Sequence, residues 1–266
     1  MKKIGLIGVG NMGGAILEGL FKKNMAEPSQ VWVYDKIGDK AAQFSKQRKA
    51  GLASSNQDLV AKTSLVILAF KPQDLFDAAE EFKSSLTPSH TVISILAGTP
   101  IAKIRKAISG NFKVVRAMPN LGAKVGEAVT ALTTDDRDPK TLTAAEQIFS
   151  GCGKTVRLEE KYFDLVTAVS GSGPAYFFLM MELLMKEGIQ SGLSEADARL
   201  LAVQTAVGAA LLAQGSPSSP EELRKMVTSK GGTTEAALKV LDSKNFPELF
   251  HEALQAALKR GRELST

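Results

Sequence analysis

A glycine-rich segment near the start of the chain constrains the fold more than any other feature. The apolar run Ile4-Gly5-Leu6-Ile7 leads directly into Gly8-Val9-Gly10-Asn11-Met12-Gly13, and a helical pattern follows at once. The order strand, Gly-x-Gly-x-x-Gly, helix is typical of the first turn of a dinucleotide-binding βαβ unit. The sequence therefore predicts a parallel α/β domain whose first strand ends in a phosphate-binding turn.

Each glycine of this motif has its own expected role. Gly8 permits the tight turn, Gly10 lets the backbone approach a diphosphate, and Gly13 allows the helix to pack closely on the strand. The start of the helix adds unpaired N–H groups and the positive end of the helix dipole. A plain glycine-rich turn is the alternative, and the strand and helix around the motif disfavour it.

The end of the second predicted strand carries the residues expected to select the cofactor. This strand ends in Asp35, about 20 positions after Gly13, where an acid usually hydrogen-bonds the ribose hydroxyls and disfavours a 2′-phosphate. That placement favours NADH. Lys36, beside it, would instead attract a 2′-phosphate, so the sequence leaves NADPH or NADH open.

The rest of the chain predicts an α/β protein with two domains. Residues 1–159 alternate β-branched runs with amphipathic helical stretches, which is typical of a Rossmann-type parallel sheet. In residues 160–266 the β-branched runs vanish, and long helical patterns such as 174–190 and 194–214 predict an all-α domain. Strands are expected at residues 3–9, 30–35, 64–69, 91–96, 113–117, 128–132 and 155–158, with helices beginning near Met12, Gly38, Asn56, Pro72, Pro100 and Pro139.

The stretch from Pro174 to Met185 is apolar nearly all round, so it must be buried on most faces. A domain of about 100 residues rarely buries such a helix alone, and we expect a second subunit to cover part of it. An ordinary core helix is the alternative. The stretch stops short of the roughly 20 residues of a membrane-spanning helix, so no membrane contact is expected.

Charge and rare residues exclude several other classes. The net charge of +5 would permit nucleic-acid binding, but the basic residues lie near predicted helix ends without interleaved aromatic residues, so no nucleic-acid partner is expected. The single cysteine, Cys152, fits a reducing compartment, and a cytoplasmic location is expected. His90 and His251 stand apart from acids and nucleophiles, so neither a metal site nor a hydrolase triad is predicted.

Two stretches of the helical half carry unusual small and hydroxyl residues. Residues 170–176 combine serine and glycine before Pro174, which suits a first helical turn. Residues 227–235 predict a helix end, a glycine turn and a new helix with Thr233 or Thr234 as N-cap and Glu235 in its first turn. Such a helix start would also bind a carboxylate, although from these residues alone capping is the stronger interpretation.

Three further strand ends are expected to border the cofactor, because ligands bind beyond the carboxyl ends of parallel strands. Each is also compatible with a simple strand-to-helix turn. They are residues 69–73, 96–99 and 117–120.

Taken in order, these segments resemble pyrroline-5-carboxylate reductases over essentially the whole chain. The first motif is shared by many dehydrogenases, whereas the last two are specific. The resemblance implies hydride transfer from NADPH or NADH to 1-pyrroline-5-carboxylate, giving L-proline, and an interlocked homodimer that often builds a higher assembly. The motifs are Gly8 to Gly13, Phe70-Lys71-Pro72-Gln73, Arg116-Ala117-Met118-Pro119-Asn120, Ser170 to Tyr176 and Thr228 to Thr234.

The resemblance also assigns roles to single residues. Gly10, Asn11 and Met12 would bind the cofactor phosphates, and Asn56 would lie by the adenosine ribose. Thr234 would act as the catalytic residue by reaching the ring nitrogen. Lys230, where the family usually has proline, is expected to face solvent. The nicotinamide half would be bordered by Phe70, Lys71, Pro72, Ala97 and Asn120, and the substrate carboxylate would be held by Ser229, Gly231, Gly232, Thr233 and Thr234.

Hydride transfer to a cyclic imine mainly needs alignment, which is worth roughly 7 to 11 kcal/mol in favourable cases, so no catalytic triad is required. A β-hydroxyacid dehydrogenase is the rival enzyme, but its lysine lies mid-helix, whereas Lys186 lies near the end of the predicted helix. A non-enzymatic nucleotide-sensing protein would have no need for the turn at residues 231–234.

Overall fold

The computed structural model describes residues 3–265. They form two compact units, one made of the described residues up to Gly171 together with those from Ala257 on, and the other of Ser172–Ala256. These units are defined by packing within the chain, so they do not test the predicted functional domains. The functional boundary between residues 159 and 160 stays a prediction.

The first unit contains an eight-stranded sheet in the order β3-β2-β1-β4-β5-β6-β7-β8. Its order reverses between β1 and β4, as in dinucleotide-binding folds, and the predicted α/β class is confirmed. The first six strands are parallel. The strands are β1 (Ile4–Ile7), β2 (Val31–Tyr34), β3 (Gly51–Leu52), β4 (Leu65–Leu68), β5 (Thr91–Ser94), β6 (Lys113–Met118), β7 (Ala128–Thr134) and β8 (Gly153–Arg157).

Two features of the sheet differ from the expectation. Strand β3 was not predicted, since two residues are too few to show a periodic pattern. Strand β7 runs antiparallel to β6, and β8 runs parallel to β7. Only residues 119–127 connect β6 to β7, which is too short for the crossover that a parallel pair requires. A left-handed Gly126, with φ of 80°, completes the reversal.

Helices cover both faces of this sheet. The apolar side chains of α1, α2 and α6 form one buried cluster with the strands, and those of α3, α4 and α5 form the other. Because strands such as β4 are buried along their whole length, they read as continuous apolar runs. The helices are α1 (Asn11–Lys22), α2 (Gly38–Arg48), α3 (Asn56–Lys62), α4 (Leu75–Phe82), α5 (Ile101–Ala107) and α6 (Pro139–Ser150).

The remainder of the chain is helical, as predicted. Pro174 lies in the first turn of α8, and the Ser194 hydroxyl accepts a hydrogen bond from the Asp197 N–H at 3.1 Å, which caps α9. The helices are α7 (Phe163–Val166), followed by a π-helical turn at Thr167–Gly171, then α8 (Gly173–Gln190), α9 (Glu195–Gly215), α10 (Pro220–Met226), α11 (Thr233–Ser243) and α12 (Phe246–Ser265).

Helices α8 and α9 leave much of their apolar surface uncovered within one chain. Phe177 is 68% exposed and Leu200 is 64% exposed. By length and composition, the helical stretches Glu160–Gln190 and Glu195–Gly215 could each cross a membrane. We expected residues 174–185 to be too few to span a membrane. That reason was wrong, because the helical stretch that contains them extends well beyond these residues. The absence of membrane contact stays a prediction.

Candidate cofactor and substrate sites

The turn after β1 has the steric design that its glycines predict. Gly8 has a left-handed φ of 99°, and a Cβ on it would lie 2.7 Å from the Ala69 carbonyl oxygen. A Cβ on Gly13 would overlap the Gly8 carbonyl oxygen and lie 3.0 Å from the Ala69 Cβ. These two glycines are therefore required by contacts within the chain itself.

Gly10 differs from both, because no contact among residues 3–265 requires it. A Cβ on Gly10 would meet no atom of these residues within 4 Å. Gly10 is the N-cap of α1, where no side chain caps the helix and no acid lies in the first turn. Open space in front of uncapped N–H groups fits the phosphates of a bound dinucleotide.

A cavity of about 490 Å³ lies beyond the carboxyl ends of β1, β2 and β4, where the strand order reverses. This is the usual ligand position in such a sheet. Of the predicted cofactor residues, the cavity lining does not include Asn11, Met12, Gly13, Pro72, Ala97 or Asn120. Those that line it are Gly8, Gly10, Asp35, Lys36, Asn56, Phe70 and Lys71.

The cavity also has charged lining residues that the sequence reasoning missed. Lys40 lies in the first turn of α2, four positions after Lys36, and no motif pointed to it. Asp74, Asp77 and Glu81 follow β4 at the spacing of one helix face. Both sides of the cavity therefore carry charges of both signs, since Asp35 accompanies the lysines that follow β2 and Lys71 accompanies the acids that follow β4.

Asp35 is bound by two backbone groups of the turns around it. Its Oδ2 accepts a hydrogen bond from the Val9 N–H at 2.7 Å, and its Oδ1 accepts one from the Ile37 N–H at 2.8 Å. Each carboxylate oxygen therefore has a partner in the chain. The side chain fixes the glycine turn against the end of β2.

Asn56 is buried, with 4% of its surface exposed, and only half of its amide is satisfied. The Nδ2 donates to Glu81 Oε2 at 2.8 Å, whereas Oδ1 is buried without a partner among residues 3–265. A buried acceptor without a donor costs about 1–3 kcal/mol, so such groups normally find a partner in a ligand or water. A ribose hydroxyl or an adenine amine would supply the missing donor.

Two of the predicted motifs meet at the end of β6. Asn120 Oδ1 accepts from the Gly122 N–H at 3.2 Å, and Nδ2 donates to the Ser170 hydroxyl at 3.3 Å. Ala97 is exposed at the end of β5, and it is followed by a left-handed Gly98 against which Leu264 packs. These strand ends are therefore held in place by contacts from distant parts of the chain.

The turn before α11 differs in one respect from the sequence interpretation. Gly232, with extended backbone at φ −83° and ψ 169°, is the N-cap, so neither Thr233 nor Thr234 caps the helix. The left-handed Gly231, with φ of 75°, makes the turn that places Gly232 there. Because glycine has no side-chain oxygen, the first N–H groups of α11 have no side-chain cap.

Around this turn, Glu235 lies in the first turn of α11, as predicted, and its Oε2 accepts from the Gly231 N–H at 2.8 Å. The Gly232 N–H donates to the Ser229 carbonyl at 3.0 Å, which closes the turn. Lys230 is exposed in the chain. The hydroxyls of Ser229 and Thr233 and the free helix N–H groups together fit an anionic ligand.

Two family models match the chain. The model described as pyrroline-5-carboxylate reductase dimerisation matches residues 160–264, and the model described as NADP oxidoreductase coenzyme F420-dependent matches residues 3–98. Together they span both halves of the chain.

Curated relatives and solved structures agree with these models over nearly the full length. Pyrroline-5-carboxylate reductases of Methanosarcina acetivorans and Pseudomonas aeruginosa are 34% and 36% identical, each over 99% of this chain and 98% and 97% of the relative. The structure of the Coxiella burnetii reductase has a TM-score of 0.91 at 37% identity and covers 100% of this chain and 99% of its own. The Plasmodium falciparum reductase, solved with NADP bound, has a TM-score of 0.90 at 27% identity and covers 100% and 98%.

Proposed function

This chain belongs to the pyrroline-5-carboxylate reductase family, and we propose that its glycine turn and the turn before α11 hold the two reactants of that enzyme. The protein is an NAD(P)H-dependent oxidoreductase that reduces the C=N bond of 1-pyrroline-5-carboxylate to give L-proline, the last step of proline biosynthesis. The observation that best supports this function is the similarity to these reductases over the full length of the chain. Membership of this family argues against the two alternatives raised by the sequence, a β-hydroxyacid dehydrogenase and a non-enzymatic nucleotide-sensing protein.

The residues at the carboxyl end of the sheet fit a dinucleotide. Gly10, Asn11 and Met12 would hold the diphosphate, since the start of α1 is uncapped and open in front of Gly10. Asn56 Oδ1 would accept from the adenosine half. When bound, the nicotinamide supplies the hydride. The strand-end residues Phe70, Lys71, Pro72, Ala97 and Asn120 would border the nicotinamide half.

The substrate carboxylate would be held at the turn before α11. The N–H groups of Thr233 and Thr234 lie at an uncapped helix start, where a negative charge is stabilised by the helix dipole. Ser229, Gly231 and Gly232 complete the proposed carboxylate site. Thr234 would additionally reach the ring nitrogen, which makes it the proposed catalytic residue.

The chemical demands on these side chains are modest. Protonation of the imine nitrogen makes the neighbouring carbon electrophilic, so a hydroxyl near that nitrogen can orient the ring without a strong base. The main task of the chain is to bind and align both reactants. The lack of a catalytic triad in the motifs agrees with this requirement.

The protein is a homodimer, as the match to the dimerisation model over residues 160–264 supports. A partner subunit would cover the exposed apolar side chains of α8 and α9, which otherwise remain in water. We extend the proposal to an assembly of dimers, to a cytoplasmic location and to functional domains at residues 1–159 and 160–266. Neither a membrane nor a nucleic acid is part of it.

One experiment tests the proposed reaction directly. The purified protein is mixed with NADPH or NADH, 1-pyrroline-5-carboxylate is added, and loss of cofactor absorbance is followed while the product is identified as L-proline. A 3-hydroxy acid with NADP⁺ or NAD⁺ serves as the control for the rival enzyme class. Cofactor binding without oxidation by the imine would refute the proposal.

A further inference from the structure

The turn that follows β5, residues 97–100, has few hydrogen bonds of its own. Among residues 3–265 its first three residues make no backbone-to-backbone hydrogen bond, and the Thr99 hydroxyl donates to the Ala97 carbonyl at a long 3.3 Å. Gly98, between them, has a left-handed φ of 62°. Ala97 is exposed and is proposed to border the nicotinamide. The shape of this turn therefore depends on the segments that pack around it.

One support of this turn comes from Glu160. Its Oε1 accepts a hydrogen bond from the Ile101 N–H at 2.8 Å, and the same oxygen accepts one from Arg116 Nη1 at 3.1 Å. Arg116 is itself buried, and its guanidinium lies over the Phe163 ring at 4.8 Å. Because the N-cap of α5, Pro100, provides no side-chain cap, Glu160 satisfies the first N–H of that helix instead. The end of the turn that leads into α5 is thereby fixed.

The other support is the last turn of α12, residues 261–265, which belongs to the same compact unit as the sheet. A Cβ on Gly98 would lie 2.8 Å from the Leu264 Cβ and 3.2 Å from the Leu264 carbonyl carbon and oxygen. The contact therefore involves the backbone of α12, although the Leu264 side chain is half exposed. Any side chain at Gly98 would push the two segments apart.

A hydrogen bond fixes the last turn of α12 in this position. The Ser265 hydroxyl donates to Asp164 Oδ1 at 2.7 Å. Gly261, in the same turn, is buried, and a Cβ on it would contact Asp164 at 3.5 Å. Asp164 lies in α7, four positions after Glu160. Both supports of residues 97–100 are therefore held by one short segment, residues 160–164.

We propose that the last turn of α12 positions the turn after β5 for hydride transfer, with Gly98 and Ser265 as positioning residues. The inference rests on the proposed function, in which Ala97 borders the nicotinamide. Hydride donor and acceptor must stay at near-attack distance, so a shift of about 1 Å in that border can cost roughly a hundredfold in rate. Binding of the adenosine half, whose proposed site lies at Asn56, should not depend on this contact.

Two variants of the full-length protein test the inference, each with a matched control. Gly98→Ala adds a Cβ that would press on the backbone of α12. Gly126→Ala adds the same methyl group at another left-handed glycine, with φ of 80°, where no atom of the described residues lies within 4 Å. Ser265→Ala removes the hydroxyl that binds Asp164. Ser150→Ala removes a hydroxyl from the last residue of α6, where it donates to a carbonyl of its own helix.

A single turnover separates positioning from loss of structure. Each protein is loaded with one equivalent of the reduced cofactor and mixed with excess 1-pyrroline-5-carboxylate. The amplitude of the fast loss of cofactor absorbance counts active sites, and its rate constant reports the hydride step. Loss of structure lowers the amplitude, whereas a misplaced nicotinamide lowers the rate constant. Calorimetry with 5′-AMP measures binding of the adenosine half, and circular dichroism shows whether each variant is folded.

We expect the rate constant to fall about tenfold or more in Gly98→Ala and about threefold in Ser265→Ala, while both controls and all 5′-AMP affinities stay within about twofold of the wild type. An unchanged rate constant in Gly98→Ala, or an equal loss in Gly126→Ala, overturns the inference and leaves the proposed reaction intact. If Gly98→Ala does not fold, an unchanged rate constant in Ser265→Ala overturns it. A wild-type protein that does not oxidise the cofactor with the imine overturns the proposed reaction, and the inference with it.

Discussion

Lys124 Nζ donates a hydrogen bond to Asn11 Oδ1 at 3.1 Å, which ties the turn between β6 and β7 to the first residue of α1. Lys124 is exposed and forms no ion pair with a carboxylate in the part of the chain that the structure describes. Its positive charge therefore lies beside the turn that is proposed to hold the cofactor diphosphate. No sequence motif pointed to this lysine.

Lys124→Met should raise the KM for the cofactor about threefold to tenfold at low salt, because one cation beside the diphosphate is lost. The turnover number should change little, since the substituted residue does not reach the reacting atoms. Salt screens exposed charges, so the difference between variant and wild type should shrink at high ionic strength. Initial rates at two salt concentrations measure this, with Lys154→Met as the control. An unchanged KM at low salt contradicts the assignment.

The glycines of the first turn should separate into two classes when each is changed to alanine. Gly13→Ala should destabilise the protein by about 1–3 kcal/mol, because the new Cβ would overlap the Gly8 carbonyl oxygen. Gly10→Ala should leave the free energy of unfolding nearly unchanged, since its Cβ would meet no atom of the described residues within 4 Å. It should nevertheless weaken cofactor binding. Thermal unfolding and cofactor titration of both variants test this, and a destabilised Gly10→Ala would contradict it.

Thr234→Ala should lower kcat/KM for 1-pyrroline-5-carboxylate about tenfold or more, the usual effect of removing a hydrogen bond to a charged or reacting group. Cofactor affinity should stay the same. Ser243→Ala is the matched control, because it removes a hydroxyl from the other end of α11, where that hydroxyl donates to the Val240 carbonyl. An equal kcat/KM for the two variants would contradict the proposed role of Thr234.

The features that could be predicted from the sequence are those with local causes. The roles of Gly8 and Gly13 follow from one turn, and strands β1, β4 and β5 could be predicted because buried parallel strands give continuous apolar runs. The direction of β7 depends on pairing between strands, which the local pattern does not contain. The N-cap of α11 was predicted one or two residues too late, at Thr233 or Thr234, since helix ends carry weaker signals than helix interiors.

The parts of the site that were missed depend on contacts between distant residues. Asn56 was assigned to the adenosine half through the family resemblance, but its unpaired Oδ1 becomes visible only once Nδ2 is seen to bind Glu81 in another helix. Likewise, the backbone partners that occupy Asp35 come from separate turns. Such arrangements follow from tertiary structure and have no signature in a single sequence.

Cys152 should be unreactive in the folded protein. Burial raises the pKa of its thiol to about 11, and the sulfur packs against the carbonyls of Ala15 and Ile16 in α1. Because the thiolate is the reactive form, almost none is available near pH 8. An aromatic disulfide reagent should label the native protein at least about a hundredfold more slowly than the protein in denaturant. Rapid labelling of the native protein would contradict the buried position.

The exposed apolar face of α8 should hold the dimer together. Phe178 is 54% exposed within one chain, and by symmetry a substitution there acts twice in a dimer. Phe178→Asp should shift the protein from dimer to monomer, because each buried aromatic side chain contributes about 1.5–3 kcal/mol and a buried unpaired carboxylate costs more. Light scattering gives the mass of wild type and variant, and circular dichroism shows whether the variant remains helical. Gln43→Asp, at an exposed position of α2, is the control for one added negative charge. A wild-type protein that is monomeric at all concentrations, or a folded Phe178→Asp variant that stays dimeric, would show that this face is not the interface.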